Sequence, residues 1–81
     1  MSVDGHGAVI EGELGQRVRS APALDAGIVT TLPGGTRFIV LDGPLCDQTN
    51  GVLWWQIEWE GGAGWTVEGQ GDTYFIEPVE G

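Results

Sequence analysis

The sequence predicts a small all-β domain, and three observations lead to that fold class. The chain has 81 residues, a length that allows one domain with a thin core. Its 15 glycines and 4 prolines are spread along the chain, which leaves no room for a long helix. No window has the apolar period of ~3.6 residues that marks an amphipathic helix, and no apolar run approaches the ~18 residues of a membrane span.

Short apolar and β-branched segments alternate instead with turn signals at intervals of roughly ten residues, which is typical of a small barrel or sandwich. A closed barrel is favoured, because closure removes the sheet edges through which a small exposed sheet would aggregate. Residues 1–7 are small, polar and Gly-rich, so we expect a flexible tail there and a single barrel domain over 8–80.

The first half of the chain predicts three strands and one extended segment. The segment at 16–22 leads into a Pro-bounded loop, and the strands lie at 8–14, 27–32 and 36–42. A turn is expected at 33–35, because its two glycines adopt the positive φ that tight reversals need. Along the last strand the side chains alternate: Thr36, Phe38 and Val40 share one face, and Arg37, Ile39 and Leu41 share the other.

The second half contains the longest predicted strand, at 52–59, after a polar loop at 45–51. A hairpin turn at 60–64 and a short return at 65–67 follow. The segment 68–72 is predicted to be an irregular bend or one turn of 3₁₀ helix before the closing strand at 73–79.

The charge of the chain restricts its partners. Twelve acidic and three basic residues give a formal net charge of −9, and there is no lysine. Phosphate binding requires clustered basic residues, and Arg17, Arg19 and Arg37 are the whole supply, so no nucleic acid or anionic lipid partner is expected. A basic peptide or an amine-bearing ligand is electrostatically allowed. The alternative is that the acidity only keeps an extracellular or high-salt protein soluble.

No catalytic site is predicted. Cys46 and His6 form the one candidate nucleophile pair, and His6 lies in the expected tail. Carboxylates such as Glu58 with Glu68 or Asp72 could in principle cleave a glycoside, but a barrel this small offers no deep cleft to raise the pKa of one of them.

No cofactor or metal is predicted either. One cysteine and one histidine are too few ligands for zinc, and the glycine-rich stretches lack the lysine of a phosphate-binding loop. The oxygens of Asp47, Gln48 and Asn50 do not match the spacing of a calcium loop.

Four tryptophans fall within LWWQIEWEGGAGW, residues 53–65. Alternation along the strand at 52–59 places Trp55, Ile57 and Trp59 on an inward face, and Trp65 is expected to pack across one end of the barrel. Trp54 shares the other face with polar side chains and is therefore the best candidate for an exposed ring. The alternative for Trp54 is a cover over a strongly bent sheet or a packing partner for the 45–51 loop.

Five short motifs in order resemble a bacterial SH3-like domain (SH3b) over residues 8–79. They are the RSAP loop, the LPGGT turn, the WWQI strand, the GWTV return and the final YFIEP. The resemblance implies an SH3-like barrel of five to six short antiparallel strands. It also implies a module of a secreted or envelope-associated bacterial protein, in a family where some members bind cell-wall peptides and others bind proteins.

The resemblance also bears on export and on the one cysteine. The N-terminal MSVDGHG lacks the features of a signal peptide, which alone leaves a cytoplasmic protein or a domain of a longer secreted chain. The resemblance favours an extracellular or cell-envelope location, within a larger exported bacterial protein. In similar domains a cysteine in the LDGP-x-Cys loop could pair outside the barrel, so Cys46 is free, paired between chains or without its partner.

In a barrel of this kind the binding groove would lie between the 20–26 and 43–52 loops. The predicted ligand-binding residues are Trp54, Phe75, Tyr74, Glu58, Asp47 and Asp25. Phe75 is expected outward while Ile76 enters the core, and the three acidic residues would form a negative rim for a cationic ligand.

We therefore expect a non-catalytic binding or targeting module that recognises a peptide or cell-wall peptide, or another protein domain, through an aromatic groove. The alternative is a structural spacer or self-assembling, homo-oligomeric unit that uses outward apolar side chains such as Ile39 and Phe75.

Overall fold

A computed structural model of the chain describes residues 3–10, 15–70 and 73–79. Over these ranges the all-β expectation is confirmed, since every regular element is a strand. The nine strands are β1 (His6–Val9), β2 (Gln16–Arg19), β3 (Ile28–Leu32), β4 (Arg37–Asp47), β5 (Val52–Trp59), β6 (Gly62–Val67), β7 (Gly69–Gln70), β8 (Thr73–Tyr74) and β9 (Ile76–Val79). A search of the described residues for a helix long and apolar enough to cross a membrane found none.

Seven strands form one antiparallel sheet in the order β3-β2-β6-β5-β4-β1-β9, and β7 pairs with β8 in a separate two-stranded ladder. The sheet is strongly curled into a half-barrel, with overall dimensions of 32 × 25 × 25 Å. The described ladder is not closed by hydrogen bonds, because β3 and β9 form its two edges. This differs from the expected full closure: the curl is enough to bring the inner side chains together without joining the edges.

The core lies on the inner face of the curled sheet, where the period-two patterns place their apolar side chains. Eight buried residues form one cluster, with Trp59 packed against it: Val9, Val18, Leu32, Phe38, Val40, Trp55, Ile57 and Ile76. The alternation expected in β4 is confirmed, because Phe38 and Val40 are buried and Ile39 and Leu41 are exposed. Each buried aromatic ring removes a large apolar area from water, which a core this small requires.

A buried polar clamp joins β2 to β6. Gln16 Nε2 donates to Thr66 Oγ1 at 2.7 Å and to the Val67 carbonyl at 2.9 Å, and Thr66 Oγ1 donates to the Arg17 carbonyl at 3.0 Å. The same two strands approach closely at Gly64, where a Cβ atom would lie 2.6 Å from Val18 Cγ1. Only glycine at position 64 allows this approach without displacement of its neighbours.

Order begins earlier than expected at the N-terminus. His6 and Gly7 belong to β1, which pairs with both β4 and β9, and the Asp4 amide donates to the Val40 carbonyl at 2.8 Å. Pairing with strands that are distant in sequence therefore holds residues that look like a polar tail. The predicted continuation of the first strand over 11–14 lies outside the described residues.

Two other boundaries differ from the sequence-based expectation. β4 continues to Asp47, through the first three residues of the polar loop predicted at 45–51, with register shifts after Val40 and Asp42. Gly43, at φ 121°, lies at this irregularity, and a Cβ atom there would lie 2.9 Å from the Trp54 carbonyl. Near the C-terminus the bend at 68–72 is replaced over its described part by β7, which pairs with β8, and the predicted closing strand divides at Phe75.

Candidate binding groove

The loop between β2 and β3, residues 20–27, forms one wall of a surface groove. Its ends are joined by a hydrogen bond of 2.9 Å from the Ser20 amide to the Gly27 carbonyl. Arg19 Nη1 donates to the Ala26 carbonyl at 2.9 Å, which ties the guanidinium to the loop and uses one of its five N–H donors. The loop leaves Leu24 45% exposed at its tip.

The turn between β4 and β5 forms the opposite wall, and Asp47 organises it. Its carboxylate accepts from Asn50 Nδ2 at 2.8 Å, from the Thr49 amide at 3.1 Å and from the Asn50 amide at 3.2 Å. The Asn50 side-chain hydrogen bond is the largest cause that lowers the pKa of Asp47, and its backbone bond is the next. Asp47 therefore holds a negative charge on this wall.

Trp54 lies between the two walls and is buried, with 1% of its surface exposed. The prediction of an exposed ring at position 54 was wrong, and the alternative of a packing partner for the neighbouring loop describes the structure. The polar neighbours on its strand face were a misleading signal, because the β2–β3 loop and the 45–50 segment fold over the outer face of the sheet at this point. Period-two alternation reports which face a side chain occupies, and a loop can bury either face.

The two buried indoles differ in their hydrogen bonds. Trp55 Nε1 donates to Glu68 Oε1 at 3.2 Å, whereas the buried Trp54 Nε1 makes no well-aligned hydrogen bond to a described residue. The Trp54 indole lies near Asp47 and contributes a smaller part of the lowering of its pKa. A buried donor without a partner costs about 1–3 kcal/mol, and the neighbouring Asp47 carboxylate is an acceptor close to the Trp54 N–H.

Two adjoining cavities make up the groove. The first, of about 370 Å³, is lined by Gly15, Gln16, Arg17, Arg19, Leu24, Asn50, Val52, Trp54, Val67, Gln70 and Phe75. The second, of about 680 Å³, is lined by residues 22–25, residues 45–50 and Trp54. Leu24, Asn50 and Trp54 belong to both, and volumes of this size fall in the range of ligand pockets.

The structure brings four of the six predicted ligand-binding residues to this groove. Trp54 and Phe75 line the first cavity together, and Asp25 and Asp47 line the second, which lies between the two loops named from the sequence. Tyr74 is exposed on β8 and lines neither cavity.

Glu58 also lies apart from the groove. It lines a separate depression with Arg37, Ile39 and Trp59, so the predicted negative rim consists of Asp25 and Asp47 without it.

Sequence reasoning missed the basic side chains of the groove. Arg17 and Arg19 flank the buried Val18 on β2, and both line the first cavity. Their alternation around an apolar residue was a readable signal that they share the outer face of a strand. Gln70 also lines this cavity, and its position depends on the β7–β8 ladder, which no local sequence pattern predicted.

Comparison with protein families places these motifs in one domain type. The family model described as bacterial SH3 domain matches residues 12–68, more than half of the chain. Searches of curated proteins and of solved structures gave no match. The matched range contains the β2–β3 loop, the 45–50 segment and Trp54. The chain therefore belongs to the bacterial SH3 domain family.

Proposed function

We propose that this domain is a non-catalytic module that binds a peptide or cell-wall peptide in the groove around Trp54 and Phe75. The observation that carries the proposal is the convergence of the β2–β3 loop and the 45–50 segment on Trp54, where two adjoining cavities share three lining residues. Bacterial SH3 domains are generally binding modules, and the family match supports that class of function.

The chemistry of the groove suits a peptide. Leu24 and Phe75 supply apolar contact area, while Asn50 and Gln70 supply amide groups that both donate and accept hydrogen bonds. A peptide presents the same mixture, with a polar backbone and side chains of either kind. Apolar walls with a few polar groups that fix orientation are typical of ligand sites.

Cell-wall peptides are the proposed ligand class because the negative wall at Asp25 and Asp47 favours amine-bearing groups. This choice also agrees with the proposed location, as a domain of an exported or envelope-associated bacterial protein. Tyr74 and Glu58 lie outside the groove, and we propose them as contacts only for a ligand that extends beyond it.

The test is an NMR titration of the ¹⁵N-labelled domain with soluble peptidoglycan fragments and with short peptides. We expect the largest amide shifts in the β2–β3 loop, in residues 47–54 and at Phe75. Leu24→Ser should weaken binding about fivefold, the loss typical of a contributing interface residue. Shifts confined to other parts of the sheet would contradict the assignment of the groove.

Ile39→Ser is the matched control for Leu24→Ser. Ile39 is 39% exposed against 45% for Leu24, and it lines the separate depression beside Glu58. The two substitutions remove similar exposed apolar area, so a general loss of stability would affect both. Equal losses of affinity in the two variants would reject a specific role for the groove.

Self-assembly is the second candidate, and the position of β3 at the edge of the described sheet favours it. Ile28 and Val29 are exposed on this edge, which carries neither charge nor proline, whereas the opposite edge strand β9 contains Glu77 and Pro78. Exposed apolar edges without such protection pair readily with other strands. Ile39 and Phe75, the side chains expected to mediate association, are exposed and partly buried respectively.

Sedimentation over a concentration series distinguishes the two candidates. Self-assembly predicts a closed oligomer that Val29→Lys dissociates, because a charge on the edge opposes strand pairing. A monomer at every concentration would reject self-assembly and leave the peptide-binding proposal unaffected.

A further inference from the structure

The two cavities of the groove carry opposite charge. Arg17 and Arg19 line the first, and among its described lining residues there is no acidic side chain. Asp25 and Asp47 line the second, whose described lining contains no basic side chain. Among the described residues the groove is therefore dipolar, with a basic end and an acidic end.

This separation is notable in a chain with so few cations. Two of the three arginines lie in one cavity, although the chain carries a formal net charge of −9. Arg19 is fixed in place by its bond to the Ala26 carbonyl, and Arg17 is an exposed side chain on the same face of β2. A fixed guanidinium beside a second one suits a carboxylate, which can accept two parallel N–H bonds.

The boundary between the two ends holds a neutral donor. Leu24, Asn50 and Trp54 are shared by both cavities, and Trp54 Nε1 is buried there without a well-aligned hydrogen bond to a described residue. The Trp54 indole also lies near Asp47, which lines the second cavity, so its N–H signal reports on events at this boundary.

We infer that the groove binds a zwitterionic peptide segment in one orientation, with a carboxylate between Arg17 and Arg19 and an ammonium group against Asp25 and Asp47. This inference rests on the proposed function and adds the charge pattern of the ligand. The reverse orientation would place like charges together at both ends, which electrostatic complementarity disfavours.

Three synthetic peptides test the charge pattern with the wild-type domain. Acetyl-Lys-Ala-Ala with a free carboxylate carries both charges. The same peptide with a C-terminal amide lacks the anion, and acetyl-norleucine-Ala-Ala with a free carboxylate lacks the cation. Removal of either charge should weaken binding roughly fivefold, the upper size of an exposed ion pair.

NMR shift maps then locate the two ends. Amide shifts near Arg17 and Arg19 should disappear with the carboxamide peptide, and those near Asp25 and Asp47 should disappear with the norleucine peptide. The indole N–H signal of Trp54, identified by its loss in Trp54→Phe, should move with the doubly charged peptide, because this ring lines both cavities.

Matched variants separate local contacts from the overall charge. Arg17→Gln should weaken the carboxylate peptides roughly fivefold and leave the carboxamide peptide unchanged. Arg37→Gln removes the same charge beside the separate depression and should have little effect. At the ammonium end, Asp25→Asn should weaken binding of the peptides that contain lysine. Glu77→Gln removes the same charge from β9, outside both cavities, and should have little effect.

The outcomes distinguish this inference from the proposed function. If all three peptides bind in the groove with equal affinity, or if Arg17→Gln and Arg37→Gln have the same effect, the inferred charge pattern of the ligand is wrong. The proposal that the groove binds peptides would still stand. If no peptide and no peptidoglycan fragment shifts a groove resonance at millimolar concentration, the proposed function fails, and this inference fails with it.

Discussion

The indole N–H of Trp55 donates a hydrogen bond of 3.2 Å to Glu68 Oε1 and so satisfies a donor buried in the core. The backbone of Glu68, which follows β6, also joins β5 to the segment between β8 and β9, because its amide donates to the Leu53 carbonyl and its carbonyl accepts from the Phe75 amide, each at 2.9 Å. Glu68→Ala should leave the indole unsatisfied and lower the free energy of unfolding by about 1–3 kcal/mol in urea denaturation.

Glu68→Gln is the control, because its side-chain oxygen still accepts from the indole while its charge is lost. Its effect should be less than half that of Glu68→Ala. Equal losses in the two variants would show that the charge of Glu68, rather than the hydrogen bond, stabilises the domain.

The buried hydroxyl of Thr66 should also contribute measurably to stability. Thr66→Val removes both the acceptor for Gln16 Nε2 and the donor to the Arg17 carbonyl, and we expect a loss of about 1–3 kcal/mol by chemical denaturation. Thr66→Ser keeps the hydroxyl and loses only a methyl group, with an expected loss near 1 kcal/mol. A larger loss for serine than for valine would rule out the hydrogen-bonded clamp as the stabilising feature.

The close contact of β6 with β2 predicts that Gly64→Ala is destabilising. The added methyl group would meet Val18 Cγ1 at 2.6 Å and the Arg19 carbonyl oxygen at 2.9 Å, so backbone must move to admit it. We expect a loss of about 1–3 kcal/mol, measured by thermal unfolding. Gly27→Ala is the control, since its nearest contact would be Ser20 Oγ at 3.9 Å, and it should unfold close to the wild-type temperature.

The turn that Asp47 organises should respond to acid over a defined pH range. Because its folded-state pKa is lowered, chiefly by the Asn50 side chain, the carboxylate stabilises the turn above the ordinary value of 3.8. That contribution is lost as the pH falls below 3.8 through the folded-state pKa. The amide signals of Thr49 and Asn50 should therefore move in this acid range, and Asp47→Asn should abolish the step.

The Gly51 amide provides an internal control for this titration. It donates at 2.8 Å to the backbone carbonyl of Asp47, which does not titrate, so its signal should move less than those of Thr49 and Asn50. A uniform shift of all three amides would indicate unfolding of the whole turn rather than protonation of one carboxylate.

Much of the fold could be predicted because it depends on local patterns. The alternation at Phe38 and Val40, and again at Trp55 and Ile57, identified the inner face of two strands, and the turn residues identified where the chain reverses. Boundaries were less predictable where pairing is distant in sequence: β1 begins at His6 because β4 and β9 provide partners for it.

The candidate site was predicted only in part, for the same reason. The two loops and four of the six residues lie where the sequence suggested, yet Trp54 is buried by loops whose approach no local pattern records. Arg17 and Arg19 were visible as outward side chains, but their convergence with Phe75 depends on how the sheet curls.

The sequence alone determined the strand periods, the turn positions, the family motifs and the scarcity of cations, because each is a property of neighbouring residues. Only the tertiary structure decided which faces of the sheet the loops cover. As a result Trp54 is buried and lines both cavities, one with arginines and one with aspartates among its described residues. The physical reason is that burial and electrostatic pairing depend on distances between residues far apart in the chain, which are fixed only when the sheet has curled and its loops have packed upon it.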